Sequence, residues 1–227
     1  MPNWVSNHVQ CANTDALSRL RDFSLIIPEH PAIALLSGLA AQHAVQRFQQ
    51  GKNWQTVAAD ADFVHCLTQE QEAIPAKHRL TPARAARRYQ LYFKIHGCVD
   101  WYNWRCEHWG SKWNVCHYRH HGSEVWFETA LMHPWPVLEA LSRQFPAEVF
   151  SVSYANEDLG SDTGTYEMQN GKLLTGGELD DGSREAFELA FFHWGGEEDY
   201  VLCDGNYHHR DDDEAGREDT SKSAPSA

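Results

Sequence analysis

Three consecutive segments decide the fold: "NVCHYRHHGSEVWFETA" (residues 114–130), "PWPVLEALSRQFP" (134–146) and "AEVFSVSYA" (147–155). The first predicts two strands, because alternating side chains flank "HHGS", which is typical of a hairpin turn. The second predicts a helix that opens at a proline and carries its apolar residues on one face. The third alternates small polar and apolar residues and predicts a half-buried strand.

A strand and a helix precede these segments. In "NWVSNHVQCA" (3–12), Val5, Val9 and Cys11 fall on one face, as in a half-buried strand. "NTDALSRLRDF" (13–23) follows with a polar capping residue and apolar residues at helical spacing. The order strand, helix, strand, strand, helix, strand predicts an α+β fold of the ferredoxin-like βαββαβ type. In that sandwich, two helices cover one face of a four-stranded antiparallel sheet.

A helical segment at about residues 31–96 interrupts this order, so we predict an insertion within a ferredoxin-like domain of residues 1–155. Its clearest helix is "TPARAARRYQLYFKIHG" (81–97). Thr81 caps this helix, a proline occupies its first turn, and Gly97 ends it.

We predict that residues 156–207 form an acidic hairpin-helix extension. Asn170-Gly171 lies between two short runs and indicates a tight hairpin turn. "SREAFELAFFHWG" (183–195) then predicts a capped helix. From His208 onward almost no apolar side chain follows, so residues 208–227 are predicted to be a disordered acidic tail.

Charge is distributed unevenly along the chain, which has a net charge of −13. Residues 1–146 contain 12 acidic and 14 basic side chains, whereas residues 147–227 contain 20 acidic and 5 basic ones. Phosphates would be repelled by the last third of the chain, so nucleic acid is an unlikely partner there. The same charge favours a protein with a basic surface.

The strings "YNWRCEHWGSKWNV" (102–115) and "VWFETA" (125–130), together with the opening "MPNW", resemble a family of small plasmid- and phage-encoded proteins with a YubB-type ferredoxin-like domain. The resemblance covers residues 1–24 and 97–155. It implies the ferredoxin-like fold and a mobile-genetic-element setting, but it brings no catalytic motif with it. The helical insertion and the acidic C-terminal part depart from the family pattern.

Four of the nine tryptophans lie between residues 100 and 118. We predict that they form a structural aromatic clamp, because burying large aromatic side chains removes much apolar area from water. The clamp consists of Trp101, Trp104, Trp109 and Trp113.

The same region allows a metal-site interpretation, which the spacing disfavours. Zinc usually takes its four ligands from two closely spaced pairs. The available side chains do not form such pairs, so we predict neither a metal nor another cofactor. They are Cys98, Cys106, His108, Cys116 and His117.

A nucleic-acid-binding or processing protein is the alternative class. It would use the basic helix Arg84–Arg88 and aromatic side chains on an open sheet face, with Tyr118, Trp126 and Tyr154 as candidates. The chain lacks the string of basic, glycine and aromatic residues that marks RNA-recognition domains, and its acidity opposes this function.

No nucleotide-binding glycine loop, zinc-protease motif or serine-hydrolase elbow is present, so we do not expect an enzyme. The sequence also lacks a membrane-spanning apolar run and a secretory signal, which predicts a cytoplasmic location. The leading hypothesis is a non-enzymatic accessory protein of a phage or plasmid that binds a host or defence-system protein with a basic surface.

Such a target normally holds nucleic acid, and the inhibitor would then act in an anti-CRISPR or anti-restriction role. Two acidic clusters on ordered structure are the predicted partner-binding residues; the competing explanation is that the acidity only confers solubility. The clusters consist of Glu157, Asp158 and Asp162, and of Glu178, Asp180 and Asp181.

Overall fold

The computed structural model describes residues 3–29, 38–97 and 100–210. The chain divides into two compact units. One, called the sheet unit below, comprises Met1–Ile26 and Trp113–Ala227. The other, called the helical unit, comprises Ile27–Lys112 and is therefore longer at both ends than the insertion predicted at 31–96. No helix within the described ranges is long and apolar enough to cross a membrane.

The described residues of the sheet unit form one six-stranded sheet and one two-stranded sheet, both antiparallel. The strands are β1 (Trp4–Gln10), β2 (Cys116–His121), β3 (Glu124–Ala130), β4 (Val149–Asn156), β5 (Thr163–Gln169), β6 (Lys172–Glu178), β7 (Tyr200–Cys203) and β8 (Asn206–His209). The large sheet has the spatial order β2-β3-β1-β4-β5-β6, and β7 pairs with β8.

Within the described residues, eight α-helices and three short 3₁₀ turns connect the strands or form the helical unit. The α-helices are α1 (Thr14–Arg19), α2 (Leu39–Gln49), α3 (Trp54–Ala58), α4 (Ala61–Glu70), α5 (Pro82–His96), α6 (Trp101–Trp109), α7 (Trp135–Gln144) and α8 (Arg184–Trp194). The 3₁₀ turns are Phe23–Leu25, Ala76–His78 and Glu197–Asp199.

The four predicted core strands are present in the order β2-β3-β1-β4, which is the ferredoxin-like arrangement. The prediction of a four-stranded sheet is wrong in number, because β5 and β6 extend the same sheet beyond β4. Tyr166 and Met168 of β5 lie opposite Val152 and Phe150 of β4, and all four side chains are buried. The extension thus satisfies the open edge of β4 and enlarges the core.

Helices cover both faces of the sheet rather than one. On the first face, the ring of Phe23, which follows α1, contacts Phe127 edge-on, and Trp135 of α7 contacts Tyr166. On the opposite face, the indole N–H of Trp194 in α8 donates a hydrogen bond to the carbonyl oxygen of Ala155 at 2.9 Å. The extension helix α8 is therefore a second layer of the sheet unit.

The helical unit has its own apolar core between α2, α3, α4 and α5. Phe48, Phe63 and Tyr89 are its large buried side chains. The hydroxyl of Thr81 accepts a hydrogen bond from an α5 backbone N–H, and Gly97 ends that helix with a φ of +71°, as the sequence predicted. Residues 30–37 and 98–99 lie outside the described ranges.

The disordered tail predicted from His208 does not begin there. His208 and His209 belong to β8, where they pair with Val201 and Tyr200. The ring of His209 meets that of Tyr200 edge-on at 5.2 Å, which gives a polar-looking segment an aromatic contact. The remainder of the predicted tail, residues 211–227, lies outside the described part of the chain.

A polar network in the sheet unit fixes the position of His133, just before α7. Its Nδ1–H donates to the side-chain oxygen of Asn7 at 2.7 Å, since the Asn7 amide nitrogen donates to Thr129 at 3.0 Å. The hydroxyl of Tyr166 donates to Nε2 of His133 at 2.7 Å, and the ring stacks on Tyr154. Burial lowers the pKa of His133 to about 3.

This pKa predicts acid sensitivity. Unfolded His133 binds a proton near pH 6.5, whereas folded His133 stays neutral until about pH 3. Neutral His133 should therefore cost no stability above pH 6.5, and the free energy of unfolding should fall as the pH drops from 6.5 towards 3, because only the unfolded chain takes up the proton. Denaturant titrations between pH 7.5 and 4 should show a flatter dependence for His133→Gln. His121→Gln, at an exposed position, should keep the wild-type dependence; equal slopes for all three proteins would contradict the assignment.

Candidate functional site

The acidic side chains predicted as two clusters meet at one end of the large sheet. One loop, residues 157–162, joins β4 to β5, and the other, residues 179–183, joins β6 to α8. Because neighbouring strands are antiparallel, the end of β4, the start of β5 and the end of β6 coincide. We call the combined set the acidic surface; it consists of Glu157, Asp158, Asp162, Glu178, Asp180 and Asp181.

Local hydrogen bonds shape the first loop. The side-chain oxygen of Asn156 accepts from the backbone N–H of Asp158 at 3.0 Å, and the Asp158 carbonyl accepts from the N–H of Ser161 at 3.1 Å. Gly160 adopts a φ of +84°, and a Cβ atom there would come within 2.8 Å of the ring of Phe187. The glycine therefore allows helix α8 to pack directly beneath the loop.

Two hydrogen bonds join the two loops, and a third joins the second loop to the start of β5. The backbone N–H of Asp162 donates to Oδ1 of Asp181 at 3.0 Å. The N–H of Gly182 donates to the carbonyl of Gly160, and that of Leu179 donates to the carbonyl of Thr163, both at 2.8 Å. The predicted clusters are therefore one surface with a fixed geometry.

The electrostatics of this surface are those of unneutralised carboxylates. Asp162 is half-buried, and burial raises the pKa of its carboxyl, with the Asp181 charge adding to the increase. Burial also raises the pKa of Tyr154, and the charges of Asp162 and Glu178 raise it further. The other five carboxylates are exposed, and within the described residues none of the six forms an ion pair.

The tryptophans predicted as one clamp are divided between the two units. Trp101, Trp104 and Trp109 lie on α6 of the helical unit, which Asp100 caps and which Gly110 ends with a φ of +66°. Trp113 belongs to the sheet unit, where its ring lies 5.7 Å from that of Trp4. It precedes β2 rather than lying within it.

Packing and hydrogen bonding hold the α6 tryptophans in place. Trp109 is 1% exposed, and its indole N–H donates to the carbonyl of Ile27 at 2.9 Å. The guanidinium of Arg105 lies 5.2 Å from the ring of Trp101 and 5.0 Å from that of Trp109. Arg105 also pairs with Glu29 at 2.7 Å. These contacts are those of a structural element.

Truncating the buried members of this set should destabilise the helical unit. We expect Trp109→Ala to cost about 3–5 kcal/mol in the free energy of unfolding, since a large aromatic side chain leaves a cavity. Trp101→Ala, on the same helix but only half-buried, is the matched control and should cost less. Guanidinium denaturation followed by circular dichroism would measure both, and near-wild-type stability of Trp109→Ala would argue against a structural role.

The candidate metal ligands are also divided between the two units. Cys106 and His108 are in the helical unit, and Cys116 and His117 are in the sheet unit. Within the described residues, no group of three or more His, Cys, Asp or Glu side chains is arranged to hold a metal ion. Cys98 lies outside the described ranges.

The aromatic residues expected on an open sheet face do not share one. Tyr118 donates its hydroxyl hydrogen bond to the carbonyl of Leu17 in α1, and Tyr154 stacks on His133 on the same covered face. Trp126 lies on the opposite face, where the ring of Phe192 from α8 is 5.5 Å away.

The basic cluster of the alternative hypothesis lies on α5 in the helical unit. The side chains of Arg84, Arg87 and Arg88 are exposed. The guanidinium of Arg87 lies 3.9 Å from the ring centre of Trp54, and that of Arg88 lies 5.9 Å from the ring centre of Tyr92.

Helix α8 brings a half-buried histidine that the sequence did not indicate. The two ring nitrogens of His193 lie 3.0 Å from the hydroxyls of Ser6 and Ser153. Burial lowers the pKa of His193 to about 4, with repulsion from His8 as a second cause. A serine–histidine contact is found in hydrolases, but here the second ring nitrogen meets a hydroxyl instead of a carboxylate. The pair therefore lacks the acid that orients a catalytic histidine.

Comparison with known proteins matches part of the chain to one family model. Residues 109–204 match a family model described as the ferredoxin-like domain in Api92-like protein. A crystal structure of a protein api92 from Yersinia pseudotuberculosis is similar at 10% identity and a TM-score of 0.37, covering 79% of this chain and 99% of that one. No curated protein matches the chain. The chain thus contains a ferredoxin-like domain similar to that of Api92-like proteins.

Proposed function

We propose that this chain acts without catalysis, by binding a protein that presents a basic surface. The acidic surface is the binding site. The observation that supports this proposal is the junction of the two loops, in which the N–H of Asp162 is bound to the carboxylate of Asp181 at 3.0 Å. Carboxylates from two loops are thereby held together, five of them exposed, without an ion-pair partner among the described residues.

A fixed acidic surface suits this role for two reasons. Preorganised groups lose little conformational entropy on association, so more of the interaction free energy appears as affinity. Clustered charges of one sign also accelerate the encounter with a partner of opposite charge. An acidic segment without fixed structure would have to be ordered on binding.

The partner we propose is a host or defence-system protein that normally holds nucleic acid, and the setting is a mobile genetic element such as a phage or plasmid. An array of carboxylates resembles a phosphate backbone in charge, so it can compete for a phosphate-binding groove. This corresponds to an anti-CRISPR or anti-restriction inhibitor in the cytoplasm. The support is the net charge of −13, its concentration after residue 146 and the resemblance of the N-terminal and tryptophan-rich strings.

Charge reversal tests this surface. Glu157→Lys with Asp180→Lys changes one exposed carboxylate in each loop and leaves Asp181, which holds the loops together, unchanged. The matched control is Glu72→Lys with Glu107→Lys, which makes the same charge change at exposed positions of the helical unit. Affinity capture from host lysate should lose its specific partner with the first pair and retain it with the second.

With the captured partner in hand, association of the first variant should be roughly tenfold slower at low salt, because steering by charge is lost. Wild-type binding should weaken as salt shortens the screening length, which is about 8 Å at physiological ionic strength. Equal capture by both variant proteins would contradict the proposal. Salt-dependent binding of wild-type protein to a DNA or RNA panel would instead favour the nucleic-acid-binding alternative.

A further inference from the structure

A pocket of about 420 Å³ lies between α8 and the β7–β8 hairpin, in a region to which neither the sequence nor the family match assigns a role. Its lining combines aromatic rings and carboxylates with two glycines. The lining residues are Glu188, Phe191, Phe192, Gly195, Gly196, Glu197, Glu198 and Tyr207.

The aromatic wall is held rigid by its neighbours. The rings of Phe191 and Tyr207 meet edge-on at 5.1 Å, and both contact Phe187, at 5.9 and 5.7 Å. Tyr200 completes the group at 5.2 Å from Phe187 and 5.4 Å from Phe191. Phe192, by contrast, is 61% exposed. A fixed ring cluster beside an exposed ring offers π faces at a low cost in entropy.

Every charged side chain that lines the pocket is a carboxylate. Glu188 accepts from Nε of Arg184 at 2.7 Å. Glu197 and Glu198 are exposed and form no ion pair within the described residues. Arg210, beside the hairpin, donates from Nε to the backbone carbonyl of Glu198 at 2.7 Å, so this hydrogen bond does not engage the Glu198 carboxylate.

We propose that this pocket holds an arginine side chain of a protein partner. A guanidinium is planar, stacks on aromatic faces and forks to carboxylate oxygens, and the pocket offers both kinds of group. The identity of the partner rests on the proposed function, because a basic surface would present the arginine. The pocket also adjoins the acidic surface, since Phe187 packs against Gly160 and a Cβ on Gly196 would lie 3.3 Å from Leu159.

The charge of the pocket excludes other occupants. The chain continues after Arg210 with "DDDE", whose carboxylates would meet Glu197 and Glu198 with the same sign of charge. Phosphates and nucleic acid are disfavoured for the same reason. A neutral apolar side chain could pack on the rings, but it would gain no attraction from the carboxylates.

Titrating the full-length, ¹⁵N-labelled protein with an acetylated Gly-Gly-Arg-Gly-Gly amide peptide tests the arginine pocket directly. Amide resonances of Phe191, Gly195, Gly196 and Tyr207 should shift and saturate. The citrulline peptide, which keeps the shape of arginine without its charge, should leave them unchanged. A lysine peptide should bind more weakly, because an ammonium neither stacks nor forks.

Phe191→Leu keeps an apolar side chain and removes one π face, so the arginine peptide should bind roughly two- to fivefold more weakly. Glu197→Gln with Glu198→Gln leaves the ring cluster intact and should also weaken binding, which guards against a folding defect in the first variant. Glu157→Lys with Asp180→Lys should retain the pocket shifts at 0.15 M salt, so failure of the acidic surface can be distinguished from failure of the pocket.

Three results would overturn the proposal: equal shifts with the citrulline peptide, wild-type affinity of both pocket variants, or tighter binding of lysine than of arginine. Absence of any saturable shift with the arginine peptide would overturn it as well, whatever the acidic surface does with its own partner.

Discussion

The pairing of β4 with β5 is the constraint on which the rest of the sheet unit depends. It runs in register from Val149 opposite Gln169 to Ala155 opposite Thr163. Without it, β4 would expose an edge of unpaired backbone groups, and the apolar side of the sheet would end at that strand. The pairing places Tyr166 where its hydroxyl can donate to His133, so it also completes the polar network. Strand β6 follows in the same sheet, and the chain then crosses to α8 on the sheet face opposite α1 and α7.

The sequence predicted the part of the fold that local patterns encode. Strand alternation, prolines at helix starts and glycines at helix ends correctly placed β1 to β4, α1, α5 and α7. Asn170-Gly171 likewise predicted the β5–β6 hairpin, but a turn signal does not name the strand that the hairpin will join. That choice depends on which strand edge is open, so the four-stranded prediction failed at this step.

A bulge in β2 and the orientation of α8 explain two further differences between the structure and what the sequence indicated. A bulge between Cys116 and Arg119, where His117 has a φ of +48°, shifts the register of β2 by one residue. Tyr118 therefore lies on the covered face, since a one-residue shift moves a side chain to the other side of a sheet. In α8 the polar His193 lies between the hydroxyls of two serines, whereas its apolar neighbour Phe192 is 61% exposed, which is the reverse of what hydropathy predicts.

The sequence was enough to identify the six carboxylates as two acidic clusters. It did not show that the two clusters meet, since the hydrogen bond from Asp162 to Asp181 joins residues 19 positions apart. Burial distinguishes Asp162 from the other five carboxylates, which are exposed. A raised carboxyl pKa means that folding disfavours the charged form, so above its ordinary pKa the half-buried Asp162 lowers stability. Exposed carboxylates would supply solubility without that cost. Asp162 carries this charge in a left-handed backbone conformation with a φ of +45°. The binding role proposed above would account for a charge in such a position, which solubility alone does not require.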